Sequence, residues 1–227
     1  MAEDTGVGRP NGGDRPPVYA YVVVGTLALA YTFNFLDRQF LSVLAEPVKR
    51  DLHLSDTQLG LLTGLMFALF YTAFGIPVAM LADRTSRVRI IAVACGLWSL
   101  CTAACGFAGG FAALAAARIG VGVGEAGGSP PSYSIISDYF PPRRRGVALA
   151  LYSLGVPFGT LFGAASGGWI AAHYGWRTAF KTLGVIGLVL VPLILLIVRE
   201  PVRGRLDPGF ADAPRASVAS AMTAFFR

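Results

Sequence analysis

The chain has 227 residues, of which 54% are hydrophobic and only 14% charged, with a mean hydropathy of +0.59. Water-soluble domains carry roughly 25% charged residues, so composition excludes an ordinary soluble domain and points to a polytopic membrane protein. The net charge of +6 would suggest nucleic acid in a soluble protein; here the arginines cluster between apolar runs, as membrane-flanking loop charge does.

The first 17 residues are polar, rich in Gly and Pro, and open with no apolar signal core; they read as a disordered tail. A spanning helix needs ~20 apolar residues. Six runs meet this, at about 19–45, 57–82, 90–107, 111–137, 146–173 and 176–198. They are too long for barrel strands and lack period-two alternation. The fold class expected is therefore all-α, with six transmembrane helices over 18–198. Residues 199–227 read as a polar linker that turns apolar again from Ser217. Arg84, Arg87, Arg89, Arg143, Arg144, Arg145, Arg199, Arg203 and Arg205 fall on one side with both termini, against Lys49, Arg50, Arg177 and Lys181 on the other. The positive-inside rule puts both termini in the cytoplasm. The Arg- and Ala-rich composition suggests a bacterial inner membrane.

The fourth run, Arg118-Ile-Gly-Val-Gly-Val-Gly-Glu125-Ala-Gly-Gly-Ser-Pro-Pro131, holds an arginine and a glutamate inside an apolar span. Such charges are costly at bilayer depth and mark functional sites by default. Seven residues at ~100° each return to nearly one helix face, so Arg118 and Glu125 share it. Pro130-Pro131 are expected to kink or end this helix. Gly122-Val-Gly-Glu-Ala-Gly127 spells a dinucleotide fingerprint, but that site needs a strand before it and a helix after it; within a span, the glycines serve packing. In the first run Asp37 and Arg38 are also charged. At ~1.5 Å per residue, Asp37 lies ~12 Å and Arg118 ~10 Å from the outer end, while Glu125 lies ~21 Å deep. Asp37 and Arg118 can pair if helices one and four face each other; Glu125 needs another partner. The alternative is a permanent buried salt bridge that only fixes packing.

Between spans two and three, Asp83, Arg84 and Arg87 place a carboxylate beside guanidiniums, a chemistry suited to an ion-pair latch that one conformation holds and another breaks. Plain loop topology is the alternative. In span five Gly155, Gly159, Gly163 and Gly167 recur at four-residue spacing, the requirement for close helix approach, and Pro157 is expected to kink that helix. Cys95, Cys101 and Cys105 read as packing thiols, and His53 and His173 as solvated loop residues. No metal-ligand cluster or nucleophile–base pair is present. Ser132 and Ser134 lack a histidine partner, so neither an enzyme nor a cofactor is expected.

The loop Leu81-Ala-Asp-Arg-Thr-Ser-Arg-Val-Arg89 resembles the major facilitator signature G-x-L-A-D-R-x-G-R-R/K, with Asp83, Arg84 and Arg87 matching and Ala79, Ser86 and Val88 departing from it. Arg118-x-x-x-Gly122 resembles that superfamily's fourth-helix motif, and Gly155-Val-Pro157-x-Gly159 its fifth-helix motif. Together with Asn34-Phe-Leu-Asp-Arg-Gln39, Leu54-Ser-Asp-Thr-Gln-Leu-Gly-Leu-Leu62 and Ile136-Ser-Asp-Tyr-Phe-Pro-Pro142, these look like the Spinster group over about 19–201. The resemblance implies half of a major facilitator fold, a three-plus-three inverted repeat, in a proton-coupled transporter of amphipathic or lipid-like solutes. It implies coupling or substrate roles for Asp37, Arg38, Arg118 and Glu125. The expected partners are the bilayer, protons, the solute, and either a C-terminal six-helix half or a second copy. An exporter of organic anions or drugs, with Arg38 and Arg118 binding the anion, and a non-transporting membrane scaffold are the competing classes.

Overall fold

The computed structural model describes residues 16–207. The expected tail therefore falls outside it except for residues 16 and 17, as does the linker beyond residue 207. The described chain is helical from Val18, in ten α-helices joined by short turns. Helix α1 is Val18–Val43, and α2, Ala45–Asp51, follows a one-residue turn. Next, α3 (Asp56–Gly60) runs through a π turn at Leu61–Leu65 into α4 (Met66–Arg84). Ser55 starts this run as a capping box: its Oγ accepts from the Gln58 N–H at 3.2 Å and the Gln58 side chain accepts from the Ser55 N–H at 2.9 Å, satisfying two orphan groups of the helix start. Then come α5 (Arg87–Cys105), α6 (Phe111–Glu125), α7 (Ser129–Tyr139), α8 (Pro142–Ser153), α9 (Gly155–Tyr174) and α10 (Trp176–Ile197).

Five of these helical runs are long and apolar enough to cross a membrane: Val18–Val43, Asp56–Arg84, Arg87–Cys105, Pro142–Tyr174 and Trp176–Ile197. The remaining run, expected as one helix over 111–137, is broken. Helix α6 ends at Glu125 and α7 begins at Ser129. The break precedes the prolines. Pro130 and Pro131 sit in the first turn of α7, where a missing N–H costs nothing. Gly127 N–H bonds Gly124 O at 3.1 Å and Gly128 N–H bonds Glu125 O at 3.0 Å, a tightened last turn that uses carbonyls otherwise orphaned in the bundle.

Pro157 has a related effect in the fifth span. Its ring clashes with the carbonyl four residues back and supplies no donor for it. That residue is Ser153, where α8 ends, and α9 restarts at Gly155. Pro157 itself is exposed, away from the glycine face.

The bundle is held by close backbone approach. Gly155, Gly159, Gly163 and Gly167 are all buried and face Ala28, Thr32, Leu36 and Phe40 of α1, also four residues apart. A Cβ on Gly155 would meet Ala28 O at 2.9 Å, and one on Gly163 would meet Leu36 O at 3.0 Å. Gly184 of α10 packs equally tightly on Ser99 and Ala103 of α5. Such contacts matter because lipid offers apolar side chains no hydrophobic drive to associate. Leu65 of the π turn, Leu69 and Ile76 of α4, Leu161 of α9 and Val189 and Leu196 of α10 remain exposed, as lipid- or partner-facing residues do.

Gly159→Ala is expected to destabilise the protein by about 1–3 kcal/mol, because the new methyl would meet the Thr32 carbonyl and the Phe35 Cβ in a well-packed contact. Gly146→Ala, inside α8 with nothing within 4 Å, is expected to be neutral or stabilising by up to about 1 kcal/mol. Thermal denaturation in detergent micelles distinguishes the two.

Candidate functional site

Four charges meet between α1 and the broken span. Asp37 and Arg38 lie on α1, Arg118 and Glu125 on α6. Asp37, Arg118 and Glu125 are 1%, 2% and 0% exposed. Arg118 Nη1 donates to Asp37 Oδ2 at 3.2 Å, and Arg38 Nε donates to Glu125 Oε2 at 2.7 Å. Residues adjacent on one helix thus reach residues seven apart on the other. Helix side chains lean toward the N-terminus of their own helix. The two helices run in opposite directions, so Arg38 and Glu125 lean toward each other, and the long arginine closes the gap.

Each pair has further support. Thr102 of α5 donates to Asp37 Oδ1 at 2.9 Å. The Arg38 guanidinium lies 5.0, 4.8 and 4.9 Å from the ring centroids of Phe35, Phe67 and Tyr71, within cation–π range. Phe67 also lies 5.6 Å from the Arg118 guanidinium, so one ring touches both cations. Arg38 retains 31% side-chain exposure, the most open of the four. Two buried atoms of the quartet, Arg118 Nε and Glu125 Oε1, have no hydrogen-bond partner among the described residues. Buried ionic groups left half-satisfied are costly, and these two valences are free to take a new partner.

The second charged cluster lies at the arginine-rich end. Arg87 is 1% exposed. Its Nη1 donates to Asp138 at 2.5 Å and to the Ser134 hydroxyl at 2.7 Å, and its Nε donates to Glu200 at 2.7 Å. Asp83 and Arg84 are exposed at the end of α4 and join no ion pair among the described residues. Of the three residues expected to form a latch, Asp83, Arg84 and Arg87, only Arg87 joins an ion pair among the described residues, with Asp138 and Glu200 as its carboxylates. Glu200 also accepts from the Val88 N–H at 3.0 Å and the Ser86 hydroxyl at 2.8 Å, capping the start of α5. Arg203 donates to Ala82 O and Thr85 O at the end of α4. Residues 199–207 therefore fold back and tie the ends of α4, α5 and α7 together. Asp138 lies near the end of α7, just past the expected fourth span, and Glu200 just before Pro201, but neither advertises its partner, because both contacts are long-range.

The Major Facilitator Superfamily model matches residues 27–227. The chain belongs to the Major Facilitator Superfamily. Within it, the chain falls in the Spinster-like group. It is 40% identical to a bacterial homologue of the human lysosomal transporter Spinster, whose inward-facing, unoccupied crystal structure superposes with a TM-score of 0.75 over 84% of this chain and 45% of that one. The occupied structure gives the same score at 39% identity, over 86% and 47%. Among curated proteins, this Spinster-like chain is 41% identical over 182 residues to an MFS-type efflux pump of Mycolicibacterium smegmatis, covering 80% of the chain and 42% of the pump. It is 34% identical to the hexuronate transporter of Bacillus subtilis, covering 82% and 43%, and 35% identical to Protein spinster of Drosophila melanogaster, covering 82% and 31%. The chain spans less than half the length of these relatives. Its fold is one half of the major facilitator architecture.

Burial alone would raise the Glu200 carboxyl, but the Val88 N–H and the Arg87 and Ser86 side chains outweigh it and hold the group below the usual carboxylate range. A depressed folded-state value stabilises above the unfolded value, and that contribution is lost as pH falls through the folded value. Glu200→Gln is therefore expected to lower thermal stability at neutral pH and to flatten its acid limb, as followed by melting temperature against pH.

Proposed function

We propose that this chain is the N-terminal half of a proton-coupled secondary transporter whose solute is amphipathic or lipid-like. The observation that carries the reading is the quartet Asp37, Arg38, Arg118 and Glu125: two ion pairs inside an apolar bundle, each with an unused valence. A proton arriving on Asp37 neutralises the partner of Arg118 and weakens that pair. Arg118 then turns to Glu125 or to the solute. Arg38, open on one side and flanked by Phe35, Phe67 and Tyr71, offers a cation for an anionic head beside aromatic faces for an apolar body. Loss of the proton to the other side restores the first pairing.

The opposite wall of the path comes from a second six-helix half or a second copy of the chain. The arginine-rich end faces the cytoplasm, with both termini, in a bacterial inner membrane. The Arg87, Asp138 and Glu200 cluster is the latch of this end, made in one conformation and opened in the other. Export or uptake of a small organic anion is the second reading. It is favoured by the hexuronate relative and by the similarity, at 30% identity, to a probable galactarate/D-glucarate transporter of Bacillus subtilis; Arg38 and Arg118 then bind the anion directly.

Uptake into proteoliposomes by the complete transporter, driven by an imposed proton gradient, is the test. Asp37→Asn is expected to abolish proton-driven uptake; undiminished uptake refutes the coupling role. Arg38→Gln removes a charge-assisted contact and is expected to raise KM about ten- to a hundredfold. Competition between lysolipids and sugar acids separates the two solute classes, and uptake by neither argues for the scaffold.

A further inference from the structure

Thr102 is used differently from other threonines in this bundle. Thr26, Thr32, Thr63 and Thr160 each give their hydroxyl to a carbonyl four residues back in their own helix, the usual choice for a threonine inside a helix. Thr102, 1% exposed, instead donates at 2.9 Å across to Asp37 Oδ1 on α1. Asp37 takes its other hydrogen bond from Arg118, at Oδ2. One turn before Thr102 on α5 lies Ser99, also 1% exposed, whose Oγ faces the Cys95 thiol and makes no hydrogen bond of ordinary geometry among the described residues. Ser99, Thr102 and Asp37 line one cavity, closed by Phe33, Trp98, Leu183, Gly184 and Gly187. It has room for about one water, and a water at such a site needs two or more polar partners. A Cβ on Gly187 would run into Ser99 Oγ, and one on Gly184 would lie 2.5 Å from Ser99 O. The glycines of α10 thus keep this side of α5 open while pressing α5 toward Asp37.

We propose that α5 supplies the hydrogen-bonding shell of Asp37, Thr102 directly and Ser99 through one ordered water, and that Thr102 is the positioning residue that sets the pH at which Asp37 takes its proton. The consequence for transport rests on the reading of Asp37 as the proton carrier; the hydrogen-bonding shell does not. Both donors favour the ionised carboxylate, and the Thr102 bond fixes the plane in which Asp37 meets Arg118. The charged or titratable groups facing Asp37 are Arg118 and Glu125 from α6, Arg38 on α1, and Cys101 and Cys105 on α5. Helix α10 contributes Leu183, Gly184 and Gly187, none titratable, while the α9 glycines pack against Thr32, Leu36 and Phe40 on another face of α1. All of these are unchanged in a Thr102 variant.

The experiment is a pH titration of the protein in lipid bilayers by infrared difference spectroscopy, with the Asp37 carboxyl signal identified by its loss in Asp37→Asn. Thr102→Val keeps the side-chain shape and removes the donor. It is expected to move the Asp37 midpoint upward by about one to two pH units. Thr102→Ser is expected to restore the wild-type midpoint, and Ser99→Ala to move it upward by less than Thr102→Val. If Thr102→Val does not fold, Thr102→Ala carries the same expectation. A valine or alanine variant that titrates with wild type overturns the proposal, as does a serine variant that titrates with valine. Proton-driven uptake is measured in parallel. If Asp37→Asn retains it, the coupling role falls while the titration still decides the role of Thr102.

Discussion

Everything distinctive in this structure follows from four charges that an apolar bundle must keep. A lone charge in lipid is untenable, so each is matched to a counter-charge on the facing helix. The matching is crossed: neighbours on α1 are bound to residues two turns apart on α6. The antiparallel course of the helices makes this possible, because the side chains of Arg38 and Glu125 incline toward one another. As a result α1 is tied to α6 at two depths by polar contacts. Its other face is tied to α9 by backbone contact along the glycine ridge. The two attachments differ in kind. The glycine contact depends on shape and has no switch. The ionic contact depends on charge, so it is the one that a change of protonation would alter.

The helix break beside Glu125 belongs to the same arrangement. Irregular backbone at membrane depth is tolerated only where it is buried in protein or lines a cavity. Here Ala126 and Gly127 are buried, and a Cβ on Gly127 would meet Ala94 of α5 at 2.7 Å. The break lets the end of α6 bring Glu125 to Arg38 while α7 takes its own course to the arginine-rich end. There Asp138 meets Arg87. The broken span thus carries two residues of the quartet, Arg118 and Glu125, before the turn and one residue of the second charge cluster, Asp138, after it. The backbone that carries them superposes on an inward-facing Spinster homologue with a TM-score of 0.75.

Much of the architecture was legible from the amino-acid sequence, for physical reasons. The helical runs follow from lengths of uninterrupted apolar residues, and the depths of Asp37 and Arg118 follow from the fixed rise of a helix. The four-residue glycine spacing identifies the face of α9 that meets α1. Other features were not legible because they arise from packing between distant segments. Nothing local marks Thr102 as the partner of Asp37, since a threonine in a helix ordinarily bonds its own backbone. The aromatic flank of Arg38 draws on Phe67 and Tyr71 from another helix, past a π turn that shifts their register. Pro130 and Pro131 signalled an interruption but not its place, because proline is comfortable in a first helical turn and the chain breaks just ahead of it. At the arginine-rich end, charge clustering singled out Asp83 and Arg84 as readily as Arg87. Only the burial of Arg87 between α7 and the segment after α10 separates it from its neighbours.

The central claim is that protonation, and not packing alone, governs the contact between α1 and α6. It is tested most directly by a double-mutant cycle on thermal stability with Asp37→Asn, Arg118→Gln and the double variant, measured at neutral pH and again under acid conditions that protonate the carboxylate. The account predicts a favourable coupling between the two positions at neutral pH that disappears in acid. A coupling of equal size at both pH values would mean that the pair is a fixed structural bridge and would contradict the account.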